Sequence, residues 1–139
     1  MINEIDKVLY TAKTHTTGGR DGAGKSSDGA LDVKLSSPGS NRPGTNPEQL
    51  FAVGWSACFM GAIGLAAKAR SIALPADVAV DAEVDLGITD GIFSLRARLD
   101  VHVPGLNRPL VEALVREAHQ TCPYSRATRG NLDVTFNII

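Results

Sequence analysis

The residues with the most chemistry to offer are the two cysteines, Cys58 and Cys122. A thiolate is a nucleophile and a metal ligand, and two thiols that meet can form a disulfide. Their separation fits neither a CxxC redox motif nor a zinc ribbon, so any bridge between them is a tertiary contact that spacing cannot reveal. A metal site joining His119 and Cys122 to Cys58 and His15 has no support in the spacing, and no metal is expected. Cys58 lies inside Gly54-Trp55-Ser56-Ala57-Cys58-Phe59-Met60, where a free cysteine commonly serves as a small core hydrophobe. Cys122 precedes Pro123 at the end of a helical pattern, where a thiol can be accessible.

A reactive Cys58 needs help. Apolar surroundings raise a thiol's pKa, and a helix dipole assists only the first turn. Cys58 lies ten residues beyond Glu48, too deep in its helix for that assistance. A fixed cation is therefore required. Arginine suits the role, because it stays charged beside an apolar site and pairs bidentately with a carboxylate. Arg20, in Gly18-Gly19-Arg20-Asp21-Gly22, is the candidate, and Glu48 could hold its fork. Arg20 also reads as a solvated loop charge and Glu48 as a first-turn helix cap, and residue type alone leaves both readings open.

The elements that must position these groups follow from hydrophobic patterning. Val8 to Thr17 reads as a strand, Gly18 to Gly29 as a loop or loose hairpin, and Leu31, Val33 and Leu35 as a short strand. Leu50 to Ala67 carries no charge. It opens with Asn46-Pro47-Glu48 and closes on Lys68 and Arg70, as a soluble helix does. Its length reaches the lower limit for a membrane span, but the remaining sheet-like segments need a covering element, so a core helix is expected and no membrane. Gly54, Ala57, Gly61 and Gly64 form one stripe on it, where another backbone could approach closely. Val78 to Leu86 and Phe93 to Val103 alternate as an antiparallel hairpin with a turn in Gly87 to Gly91, and acidic residues can face Arg96 and Arg98. Asn107 and Pro109 open a second helix that Pro123 stops, and Leu132 to Ile138 alternate as a last strand. The fold class is α+β: antiparallel sheets packed around a long central apolar helix plus a second helix, in a single domain over residues 1–139.

Composition excludes several classes. The chain has 139 residues, with 14 basic against 15 acidic, and no excess of positive charge for binding nucleic acid. Two cysteines are too few for a disulfide scaffold. Glu4, Asp6 and Lys7 interrupt the N-terminus, so no signal peptide is expected and the location reads as cytoplasmic.

Four motifs taken in order resemble a known family. They are Gly18-Gly19-Arg20-Asp21-Gly22, Asn46-Pro47-Glu48-Gln49-Leu50-Phe51-Ala52, Ser56-Ala57-Cys58-Phe59, and Cys122-Pro123-Tyr124-Ser125 followed by Ala127-Thr128-Arg129-Gly130-Asn131. They are similar to the organic hydroperoxide resistance proteins, the Ohr branch of the OsmC/Ohr family, from about Tyr10 to the C-terminus. The resemblance implies an intertwined homodimer and a thiol peroxidase without cofactor. Cys58 would be the peroxidatic thiolate and Cys122 the resolving thiol. Arg20 would stabilise the thiolate and Glu48 would orient Arg20. The implied partners are an organic hydroperoxide and a dithiol reductant, a lipoyl-bearing protein in the family. Phe51, Trp55, Phe59, Met60 and Ile63 could make an apolar approach for an alkyl or fatty-acid chain, although large apolar residues more often fill the core. The competing functions are an OsmC-type peroxidase, a general thiol-disulfide oxidoreductase, and a non-enzymatic redox-sensing or binding module.

Helix geometry adds an expectation. Ten residues of straight α-helix span about 15 Å. Glu48 and Cys58 of one chain therefore cannot share a compact site unless the helix breaks, for instance near Gly54. The alternative is a symmetric dimer in which each site takes Cys58 from one chain and Arg20 with Glu48 from the other.

Overall fold

The computed structural model describes residues 2–139. By its own contacts the chain divides after Pro47 into two compact units.

The first unit is a three-stranded antiparallel sheet of β1 (Thr14–Thr17), β2 (Ala23–Ser26) and β3 (Asp32–Lys34), in that order. The strand expected from Val8 is therefore confined to four residues, and the glycine-rich stretch supplies β2. Between β1 and β2 the chain makes one 3-10 turn, Gly19–Asp21. Gly18 and Gly19 both have positive φ, and a Cβ on Gly22 would lie 1.7 Å from the Thr17 carbonyl oxygen, so only glycine fits there.

α1 (Pro47–Ala69) starts at the Asn46-Pro47-Glu48 signal, runs 23 residues without interruption and belongs to the second unit from Glu48 onward. Then come β4 (Ala79–Thr89), β5 (Ile92–His102), α2 (Arg108–Thr121), α3 (Pro123–Thr128) and β6 (Asp133–Ile138). The β4–β5 hairpin pairs all the way to Thr89 opposite Ile92, which leaves a two-residue loop. Asp90 and Gly91 both have positive φ, as an Asp-Gly hairpin loop requires, so the turn is shorter than Gly87 to Gly91. β6 lies beside β5 and runs parallel to it. The sheet is therefore mixed, contrary to the antiparallel expectation, because α2 and α3 together form the crossover that returns the chain in the same direction.

α1 meets the core on one face. Trp55, Phe59, Ala62, Ile63 and Ala66 recur at helical spacing and pack with Leu99 and Val101 of β5 and Val111, Leu114 and Ala118 of α2. The opposite face stays exposed: Val53 is 69% and Leu65 70% accessible, and Ala57 and Gly61 lie with them. The core helix expected from its apolar run is thus covered on one face only within one chain. By length and composition α1 would also suffice to cross a membrane.

The outer face of the β4–β5 hairpin carries the expected charge pairs. Arg98 reaches Asp85 with two bonds of 2.8 and 2.9 Å, and Arg96 Nε adds a third of 2.9 Å. These bonds, Arg98 first and Arg96 second, hold the Asp85 carboxyl well below the usual carboxylate range. A depressed folded pKa gives stability that is present above the unfolded-chain value and is lost as pH falls toward the folded one. Asp85→Asn should therefore reduce the stability difference between neutral pH and about pH 3, where unfolded aspartates are mostly protonated and the folded Asp85 is not. Urea denaturation at the two pH values measures it, and an unchanged difference would show that the pair is energetically silent.

Candidate active site

The site assembles around Cys122. Its position before Pro123 disfavours the helical conformation, because the proline ring crowds the preceding residue. Cys122 accordingly adopts φ −60°, ψ 123°. Its N–H still donates to the Ala118 carbonyl (2.8 Å), closing α2, while its carbonyl accepts from Arg126 N–H (2.9 Å), opening α3. Pro123 therefore both stops one helix, as expected, and starts another that patterning did not reveal. Proline at a first helical turn was the available signal. Arg129, just past α3, donates from its guanidinium to the His119 carbonyl in the last turn of α2.

This elbow brings the two sulfurs together. Cys58 Sγ and Cys122 Sγ are 3.4 Å apart, with Cys122 donating to Cys58. Cys122 is fully buried, and Cys58 keeps part of its surface. Both are reduced. Burial pushes the Cys58 thiol up. The Tyr124 backbone N–H, directed at its sulfur, pulls it down, and the neighbouring Cys122 opposes a second negative charge.

α3 is tied to α1 at two further points. Trp55 Nε1 donates to Ser125 Oγ at 3.3 Å, both groups buried. The Tyr124 phenol lies against Gly54, one turn before Cys58, where a Cβ would approach its oxygen to 2.7 Å. Phe51 packs edge-on against both Trp55 (5.7 Å between centroids) and Tyr124 (6.0 Å). Neither Tyr124 nor Ser125 was singled out from its residue type.

The residues expected to form an apolar approach divide. Trp55, Phe59 and Ile63 have no exposed surface and fill the core, Phe59 stacking on Phe136 at 4.7 Å. Phe51 and Met60 remain partly accessible. Phe51 stands with Tyr124, whereas Met60 lines a separate cavity of about 380 Å³ between α1 and β4. Glu48 lies in the first turn of α1. In that uninterrupted helix, the rise alone separates it from Cys58 of the same chain by about 15 Å.

Arg20 belongs to the first unit. It lies in the glycine-flanked 3-10 turn on the protein surface. Its neighbour Asp21 anchors that turn by accepting from Ser37 N–H and Ser37 Oγ, both at 3.1 Å, and from Arg42 at 2.5 Å. The Ser37 bonds, with the Arg42 charge behind them, keep the Asp21 carboxyl below its ordinary pKa. Among the described residues no cluster of three or more His, Cys, Asp or Glu side chains could hold a metal ion.

A family model described as OsmC-like protein matches residues 37–137. The chain belongs to the OsmC/Ohr family. It is 49% identical to the organic hydroperoxide resistance protein of Xanthomonas axonopodis pv. citri (strain 306) over 96% of each chain. The crystal structure of the organic hydroperoxide resistance protein OhrB of Bacillus subtilis superposes with a TM-score of 0.89 at 42% identity, covering 95% of this chain and 100% of that one. A thiocyanate-bound organic hydroperoxide resistance protein from Elizabethkingia anophelis gives 0.87 at 41% identity, over 95% of this chain and 97% of that one. This OsmC/Ohr chain therefore shares its α+β fold with the Ohr structures.

In this member of the family the Trp55–Ser125 bond should matter to stability. Ser125→Ala leaves a buried indole N–H without its acceptor, a loss of about 1–3 kcal/mol. Trp55 is the sole tryptophan, so its fluorescence during urea denaturation reads the change directly. A loss below about 0.5 kcal/mol, the range of ordinary surface substitutions, would mean that the bond does not hold α3 to α1.

Proposed function

We propose that this protein is a cysteine-based peroxidase that reduces organic hydroperoxides to alcohols. The observation that carries the proposal is the 3.4 Å approach of a partly exposed sulfur, Cys58, to a fully buried one, Cys122. The names of the relatives point to organic hydroperoxides as the substrate class. The family match runs across the Pro47–Glu48 division, which supports reading residues 1–139 as one domain.

In the proposed cycle the Cys58 thiolate attacks one peroxide oxygen. The O–O bond breaks, the alkoxide leaves and takes a proton, and Cys58 becomes a sulfenic acid. The Cys122 sulfur then attacks Cys58 Sγ, and hydroxide leaves as water, forming the disulfide. An external dithiol, a lipoyl-bearing protein by analogy with the family, supplies two electrons to restore both thiols. No cofactor takes part. Phe51 and Tyr124 are the groups we assign to the alkyl chain, with Trp55 and Phe59 packed beneath. The setting we infer is the cytoplasm, where thiols are kept reduced.

Activation of Cys58 requires a cation, since burial raises its pKa. We assign this role to the partner subunit's Arg20, oriented by the partner subunit's Glu48, in a homodimer. Three features support the arrangement. α1 does not break between Glu48 and Cys58. Its outer face of Val53, Ala57, Gly61 and Leu65 is uncovered. A Cβ on Gly61 or Gly64 would meet no atom within 4 Å, so that side of the helix has room for another backbone.

The direct test is peroxide consumption with dihydrolipoamide as donor. tert-Butyl and lipid hydroperoxides should be reduced with higher kcat/KM than hydrogen peroxide, since each buried methylene adds about 0.8 kcal/mol, close to fourfold, to binding. Cys58→Ser should fall to background with its fold intact, and Cys122→Ser should turn over once and then over-oxidise at Cys58. Substantial turnover by a folded Cys58→Ser protein would refute the proposal.

Site sharing is tested by complementation. Cys58→Ser and Arg20→Ala chains are each expected to be inactive. In randomly mixed dimers, Cys58 of one chain meets Arg20 of the other in about a quarter of sites, so about a quarter of wild-type activity should return. Verified heterodimers without recovered activity would show that each site is built within one chain.

A further inference from the structure

The two sulfurs differ in access, and that difference bears on the reductive half of the cycle. Cys122 has no exposed surface, belongs to the hydrophobic core and is enclosed at the α2–α3 elbow. Cys58 lies on α1 and retains partial exposure. Displacement at a disulfide sulfur requires the incoming thiolate, the attacked sulfur and the leaving sulfur to lie nearly in line. Attack on Cys122 must therefore come from the side opposite Cys58, and that side is packed core. Attack on Cys58 comes from the side opposite Cys122, and of the two cysteines only Cys58 keeps exposed surface through which a thiolate can approach. Docking of a second chain cannot give Cys122 surface that one chain already denies it.

We infer that Cys58 is the electrophilic sulfur of the disulfide as well as the nucleophilic sulfur of the dithiol, so that one opening serves hydroperoxide and reductant in turn. This rests on the peroxidase reading above. The reductant's thiolate attacks Cys58 Sγ, the Cys58–Cys122 bond breaks, and its electron pair leaves on Cys122 Sγ, which takes up a proton. The intermediate is a mixed disulfide on Cys58. The reductant's second thiol then attacks its own bonded sulfur, releasing Cys58 as thiolate and carrying away an intramolecular disulfide. Two electrons pass from reductant to enzyme. Because Cys122 is the leaving group from a buried position, the reductant must present a slender thiol that reaches Cys58, with its second thiol close behind. A monothiol can make the first displacement but cannot complete the second intramolecularly.

That distinction supplies the test. The disulfide is formed in the full-length protein with diamide, an oxidant that needs no peroxidase activity, and is mixed briefly with 2-mercaptoethanol. The reaction is quenched into denaturing N-ethylmaleimide, and the two cysteine peptides are separated by mass spectrometry. The mercaptoethanol adduct should lie on Cys58 and the maleimide on Cys122, with at least a tenfold excess over the reverse pattern. Equal labelling, or an adduct mainly on Cys122, would overturn the inference. A parallel sample oxidised with tert-butyl hydroperoxide separates the two ideas. A disulfide that forms with diamide but not with the hydroperoxide counts against the peroxidase reading alone. Failure to form a Cys58–Cys122 bridge with diamide overturns both.

Discussion

Everything at the candidate site hangs on the conformation of one residue, Cys122. Because it precedes Pro123, its backbone is extended, and the chain turns there from α2 into α3 with no intervening loop. A helix continuing past this point would carry its side chains around the α2 axis and away from α1. The elbow instead sends Tyr124 and Ser125 back toward α1. There the Tyr124 N–H meets the Cys58 sulfur and Ser125 accepts from Trp55. The sulfur pair is thus held from both sides by main-chain geometry and a buried hydrogen bond, not by the flexible torsions of the thiols themselves.

The second constraint is the length and continuity of α1. Within this unbroken helix of 23 residues, the ten from Glu48 to Cys58 separate the first turn from the middle by about 15 Å. Cys58 therefore occupies a position that the helix dipole does not favour and that burial makes hostile to charge. The same helix leaves Val53 and Leu65 on an uncovered face. In the proposed homodimer, a second chain docked on that face would supply the cation and the apolar cover together.

Much of this was legible in the residues, for identifiable reasons. Strict alternation from Val78 and from Phe93 exposed the hairpin, since one face is core and the other is charged. Asn107 with Pro109 marked α2, and the Asn107 side chain does accept from Leu110 N–H at 3.0 Å. Other features depend on contacts remote in sequence. The parallel pairing of β6 with β5 is set by how the α2–α3 crossover returns, which period-2 alternation does not encode. The four motifs carried the family resemblance. Trp55 and Phe59 could not be sorted from Phe51 by type: all three are aromatic on one helix, and only the packing against β5, α2 and Phe136 puts two of them inside. Arg20 was marked by its glycines, and the positive φ of Gly18 and Gly19 is the physical reason they are there.

The unequal burial of the sulfurs also bears on how a two-thiol site survives its own chemistry. A reagent must reach a sulfur to react with it, so enclosure keeps solutes away from Cys122. Its sulfur lies 3.4 Å from the atom it must bond in the proposed cycle, the Cys58 sulfur. Closing that gap to a bond requires a shift of roughly 1.4 Å, given an S–S length near 2.05 Å. Rotation of a thiol about its Cα–Cβ bond can supply much of this without dismantling the elbow. In the proposed cycle, oxidation beyond sulfenic acid competes with this small motion, while Cys122 remains out of reach of peroxide throughout. Access for one sulfur and enclosure for the other would let the first react with the substrate and keep the second in reserve for it alone.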